Sequence, residues 1–160
     1  MAVWRLVTYH IPDQKDDMLR WAIGAQRMAL GWALIGDLRT GGFTTPQSIA
    51  AAIAPKYPKR KDATPGGRCL WEFWHVMQLG DLVILRGATR RAVMRVTGPY
   101  EFAPPPAIAG GDYRHQREGE VLDLNADTVW KQSGGMAKGY NIHWPLLRCA
   151  RAYEMRRLLE

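Results

Sequence analysis

The chain contains only two cysteines, Cys69 and Cys149, which stand far apart with no CxxC pair and no neighbouring histidine at zinc spacing. That excludes a disulfide framework and a sequence-encoded metal site, and it predicts two reduced core thiols in a cytoplasmic protein. Long hydrophobic runs are missing too. The apolar stretch from Met28 to Ile35 is far short of the roughly 20 residues a membrane helix needs. Met1-Ala2-Val3-Trp4-Arg5 has no basic segment leading into an apolar run, so no signal peptide is expected. There is no P-loop, no GxGxxG after a strand, no GxSxG and no HExxH. His10, His75, His115 and His143 are scattered, and no carboxylate pair stands out as acid and base. The expectation is therefore a non-enzyme with no catalytic residue, metal or cofactor.

Acidic residues are the minority charge, 15 against 22 Lys and Arg, giving +7 and a pI near 9.7. Lys56, Lys59, Arg60 and Lys61 cluster in one stretch; Arg86, Arg90, Arg91 and Arg95 belong to one expected hairpin; Arg148, Arg151, Arg156 and Arg157 lie near the C-terminus. Such clusters favour a polyanion, bound through phosphate contacts and counterion release. At 160 residues one core suffices, and a single domain over 1–160 is expected.

Trp4 to Tyr9 alternates and is β-rich, which predicts a first strand ending at His10-Ile11-Pro12. Asp13 as an N-cap, with Met18, Leu19, Ala22 and Ile23 at helical spacing, predicts a helix over about 13–26. Arg27 to Ile35 reads as a central, buried strand. Thr45-Pro46 starts a short helix that stops at Pro55, and the basic stretch through Gly66-Gly67 reads as a loop. A third helix is expected from near Arg68, with Leu70, Phe73, Trp74 and Met77 on one face and Gly80 as terminator. Asp81–Arg86 and Arg90–Thr97 form a hairpin around Gly87-Ala88-Thr89, and a further strand runs from Tyr113 to about Leu124. Residues 130–144 read as irregular, and 145–159 as a final helix. The fold class is α+β, a small curved sheet or barrel with flanking helices.

Tryptophan is abundant, with seven residues at 4, 21, 32, 71, 74, 130 and 144. Most such rings are core material. Trp32 is singled out because Gly31 precedes it and Gly36-Asp37 turns the chain just after, leaving space beside the ring for a stacked base.

Trp4-Arg5-Leu6-Val7, the segment Leu30 to Leu38, Leu70-Trp71-Glu72-Phe73, Gly80 to Leu85 and Tyr113-Arg114-His115-Gln116-Arg117 together resemble the EVE branch of the PUA-like superfamily, over roughly residues 3 to 124. That branch is similar to the YTH readers of methylated adenine and to the N-terminal specificity domains of modification-dependent restriction systems. The resemblance implies a PUA-like β-barrel with a pocket for a modified base, DNA or RNA. Trp32 would be one wall, and Thr8, Tyr9 and His10 would read the base edge. Tyr100, Tyr113 and Trp130 compete for the second aromatic wall, Tyr113 standing in the segment that carries the resemblance.

The phosphate contacts expected around such a pocket are Lys59, Arg60, Lys61, Arg86, Arg90, Arg91 and Arg117. The leading expectation is a nucleic-acid binding module with no membrane partner, any strand cutting being left to an effector protein encoded separately. The alternatives are a small-molecule or nucleotide-metabolite binder or enzyme using the same pocket, and an interaction domain whose tryptophans are only core.

Overall fold

A computed structural model describes residues 1–88 and 91–154. The strands are β1 (Val3–Val7), β2 (Arg27–Leu30), β3 (Leu82–Arg86), β4 (Arg91–Val96), β5 (Glu101–Phe102), β6 (His115–Leu122) and β7 (Leu146–Arg148). The helices are α1 (Lys15–Ala25), α2 (Pro46–Lys56), α3 (Ala63–Trp71) and α4 (Ala126–Gln132). The sheet order is β2-β6-β4-β3-β1-β7, with β5 added on β6. Among the described residues only β1 and β3 run parallel; the other pairs are antiparallel.

The curl comes from β6, which pairs with β2 and β5 over its first half and with β4 over its second. Gly119 sits at that change of partner. A Cβ there would stand 2.8 Å from Met28 Cε and 3.0 Å from Met94 Sδ, so a side chain at the bend would push the tips of both methionines aside. The protein is thus an α+β fold with a small, strongly curved sheet and flanking helices. No helix among the described residues is long and apolar enough to cross a membrane.

Alternation along β1 divides the interior. Trp4 and Leu6 enter the main core with Met28, Leu30, Phe73, Leu85 and Met94, under α2 and α3. Val3 joins Leu82, Ile84 and Val93 in a smaller cluster closed by Ala126 and Val129 of α4. Helices α2 and α3 lie in close contact, because a Cβ at Gly67 would come within 2.5 Å of the Pro46 carbonyl and 2.7 Å of Ala50 N. Cys69 and Cys149 are buried and unpaired, and burial pushes the Cys69 thiol up to about 12.

Several expected elements need correction. Strand β2 stops at Leu30 instead of Ile35 and lies at the end of the sheet rather than in its centre, since Trp32 turns left-handed. Asp13 lies in a short 3-10 turn, Pro12–Gln14, and Gln14 rather than Asp13 precedes α1. The Thr45-Pro46 start is a capping box with Ser48, but α2 carries Pro55 inside and ends at Lys56. Helix α3 begins at Ala63 and includes Gly66-Gly67, so only the residues between Lys56 and Ala63 link α2 to α3. It then widens into a π-helical turn, Glu72–Val76, before Met77 becomes extended. The segment around Trp130 contains α4, capped by Asn125, whose side chain accepts from Thr128 N–H. Residues 146–148 form β7 against β1, not a helix. Residues 149–154 are not helical either, and 155–159 of that expected helix lie outside the described residues.

Candidate functional site

Where β1, β2 and β3 finish, the chain leaves a cavity of about 380 Å³. Tyr9 and His10 follow β1, Gly31 and Trp32 follow β2, and Arg86 ends β3. The turn before α3 adds Arg60 and Asp62, the approach to β6 adds Asp112 and Tyr113, and Ile142, His143 and Pro145 close the side next to β7. The volume lies in the ~300–1,000 Å³ range of small-ligand sites.

Trp32 is held by a set of long-range bonds. Its backbone is left-handed, φ +66°, which a bulky residue adopts only when its surroundings impose it. The Asp112 carboxylate accepts the next amide, Ala33 N–H, at 3.0 Å. His115 Nε2 donates to the Trp32 carbonyl at 3.0 Å. With that tautomer, His115 Nδ1 accepts the Tyr100 hydroxyl at 2.6 Å, and the same hydroxyl oxygen accepts Leu38 N–H at 3.1 Å. Burial lowers the His115 pKa to about 4, so the ring is neutral and the chain of bonds is intact near neutrality. Leu34 N–H, on the same turn, donates to the Tyr57 hydroxyl at 3.0 Å.

Tyr113 is also left-handed, φ +65°. Among the described residues only Gln26, Trp32 and Tyr113 are non-glycine positions with positive φ, and two of these three line the cavity. Backbone strain of this kind, costing about 1–3 kcal/mol each, collects at binding sites.

The indole of Trp32 is a wall and a core group at once. It is 2% exposed and packs in the main core. A Cβ on Gly66 would stand 2.9 Å from its Cε2 and Cζ2 atoms, so α3 needs a glycine to admit the ring. The Arg60 guanidinium lies 5.2 Å from the ring centroid and 5.6 Å from that of Tyr57, and it pairs with Asp62. The Trp32 Nε1 donor is buried without a partner in the protein.

Of the residues expected at a base pocket, Trp32, Tyr9, His10 and Tyr113 do share this cavity. Thr8 does not. It is buried, and its hydroxyl donates to the Arg86 carbonyl at 3.1 Å, tying β1 to β3. Tyr100 is enclosed in the core on His115, and Trp130 lines a neighbouring cavity instead.

Of the expected phosphate contacts, Arg60 and Arg86 line the base-sized cavity, and Lys59 and Lys61 are exposed beside it in the chain. Arg91 lines the neighbouring cavity and pairs with Asp127. Arg90 lies outside the described residues. Arg117 is a correction: it is 4% exposed and donates to the carbonyls of Gly98, of Phe73 within the π-helical turn and of Met77 just after it. Its side chain supports the fold and is not at the surface for a phosphate. Sequence reasoning missed Asp62 and Asp112, whose neighbours gave no motif, and also Ile142 and His143, which lie in a stretch read as irregular, and Pro145, taken for the start of a helix.

The fold and site define a small α+β domain with a strained aromatic cavity at one end of its sheet. The chain belongs to the family described as a domain of unknown function, DUF8426, whose model matches residues 4–126. The matched span holds Trp32, Arg60, Arg86 and Tyr113, while the Ile142–Pro145 wall lies beyond it. No curated protein and no solved structure matches the chain.

Proposed function

We propose that this protein is a nucleic-acid binding module of the EVE, PUA-like kind, which takes a modified base from a strand into the cavity between Trp32 and Tyr113. The observation that carries the reading is the pair of aromatic residues, both in left-handed backbone, at one cavity that also has Arg60 and Arg86 on its lining. Strain imposed on two large rings makes sense where their faces must be fixed in advance for a flat ligand. Arg60 already supplies a planar group on the Trp32 face, at the place a base would take by moving it aside. Asp112, Tyr9 and His10 offer polar groups for the base edge, and the arginines offer charge for the adjoining phosphates. The same reading has the protein acting in the cytoplasm, with both thiols reduced and any cutting left to a separate effector.

Titrating labelled oligonucleotides with and without modified bases, at fixed salt, tests it. The wild type should prefer at least one modified base, and Trp32→Ala should lose about 1–3 kcal/mol of that binding, the worth of one base stack. Because the ring is also core, Trp32→Ala should lower stability by about 3–5 kcal/mol, so the titration is made well below its melting temperature and repeated with Trp32→Phe. Equal affinity for every base in the wild type would overturn the reading. Binding of a free modified nucleoside as tightly as the oligonucleotide would favour a metabolite binder.

A further inference from the structure

Beyond the base-sized cavity, the other face of the sheet gathers arginines without enough counter-charge. The parallel register sets Arg5 opposite Ile84 and Val7 opposite Arg86, and the β3–β4 register sets Arg86 opposite Arg91. All three arginines therefore line one cavity of about 190 Å³, together with Ile84, Asp127, Trp130 and Ile142. Among the described residues Asp127 is its one acidic lining residue and pairs with Arg91, so Arg5 and Arg86 have no carboxylate on the cavity lining left to compensate them.

Arg5 is 4% exposed, and its Nη2 donates to the carbonyls of Ile142 at 3.1 Å and Trp144 at 2.6 Å. Its Nε is buried with no partner among the described residues, and so is the Nε of Arg86. Burial and the nearby Arg86 charge bring the Arg5 pKa down to about 10, so the group remains charged at neutral pH. A buried guanidinium with an idle donor and no carboxylate is costly unless a ligand completes it. The planar fork of arginine matches phosphate oxygens, and several forks around a small cavity suit a tetrahedral dianion.

We propose that Arg5, Arg86 and Arg91 form a phosphate-binding site, separate from the base cavity but sharing Arg86 and Ile142 with it. The site stands on its own residues. Its extension to the phosphate of a nucleotide whose base occupies the Trp32 cavity rests on the function proposed above.

Calorimetry and thermal melting with inorganic phosphate, at an ionic strength held constant with potassium chloride, test the site without any base. The wild type should bind phosphate and melt at a higher temperature in it than in chloride alone. Arg86→Gln should weaken phosphate binding about tenfold or more, and Arg91→Gln should weaken it by less, since Asp127 already occupies part of that group. Arg5→Gln is the harder variant, because Arg5 also holds the Ile142 and Trp144 carbonyls. No phosphate effect beyond that of chloride, or an unchanged effect in Arg86→Gln, would overturn the proposal.

Nucleoside monophosphates separate the sources. Tighter binding of a nucleoside 5′-monophosphate than of phosphate or nucleoside alone assigns the site to a nucleotide, and equal binding of monophosphate and phosphate assigns it to free phosphate. Failure of modified-base selectivity would leave the phosphate result standing, so the two proposals fail separately.

Discussion

Where β1 and β3 begin, two buried charges are held by several hydrogen bonds each. Asp81 accepts Ala2 N–H, Gln78 N–H and Trp4 Nε1–H, and Arg117 donates to three carbonyls. Toward the other end of the same strands, Arg5 Nε, Arg86 Nε, Trp32 Nε1 and Asp62 Oδ1 are buried without partners among the described residues. All four residues line one or other of the two cavities that share Arg86. Natural interiors pair nearly all their buried polar atoms, and of the six unpaired ones among the described residues four gather at these two cavities, while Asp16 Oδ1 and Glu72 Oε2 lie outside both. One end uses charge to hold the fold, and the other holds the unpaired polar atoms of both proposed sites.

The sharpest way to break that contrast is to remove a charge from the satisfied end. Arg117→Met would leave the carbonyls of Gly98, Phe73 and Met77 without their donor, and each stranded acceptor costs about 1–3 kcal/mol. Chemical denaturation should show a loss of about 3–5 kcal/mol, while Arg86→Gln, at the open end, should change stability little. A mild Arg117→Met and a severe Arg86→Gln would reverse the assignment of the two ends.

Next in size is the acid response of the device that holds Trp32. His115 is neutral in the folded chain, with its pKa lowered to about 4 from an ordinary 6.5, so the unfolded chain takes up the proton first. Its contribution is complete above about pH 6.5 and is lost as pH falls toward 4, amounting to about 3 kcal/mol over that window. Around the ring, Asp112 and Asp37 favour the proton and Arg114 opposes it, but burial dominates. The difference between wild type and His115→Gln in denaturation from pH 7 to 4 isolates this term. If the two chains lose stability in parallel, His115 is not the acid-sensitive group.

How much of this was legible in the sequence follows the range of the forces involved. Local signals were read correctly: the alternation of β1, the Thr45-Pro46 helix start and the β3–β4 hairpin all depend on neighbours in the chain. The end of β2 was not readable, because Trp32 turns left-handed through bonds to Asp112 and His115, some 80 residues away. Gly66-Gly67 resembled a linker but are helical, since their missing side chains admit Trp32 and α2. Pro145 to Arg148 carried a helix-compatible apolar run, and pairing with β1 made it a strand. Of the expected site residues, Trp32 and Tyr113 do line one cavity, whereas Arg117 looked like its neighbours until burial set it apart.

The smallest expected effect divides the basic stretch itself. Arg60 is half-buried over Trp32 and tethered to Asp62, whereas Lys59 and Lys61, on either side of it, are exposed. Replacing the two lysines together with alanine should leave stability unchanged, because exposed charges away from special contacts contribute little to it. It should lower oligonucleotide affinity equally for modified and unmodified sequences, and flatten the dependence of log affinity on log salt by up to about 0.7–0.9 for each phosphate that a lysine neutralises. Arg60→Ala should instead change the preference among bases, since it removes the group resting on the Trp32 face. Binding titrations of both variants at two or more salt concentrations decide the matter. If the lysine pair shifts base preference and Arg60 shifts only the salt slope, the boundary between charge that positions the strand and charge that meets the base has been drawn in the wrong place.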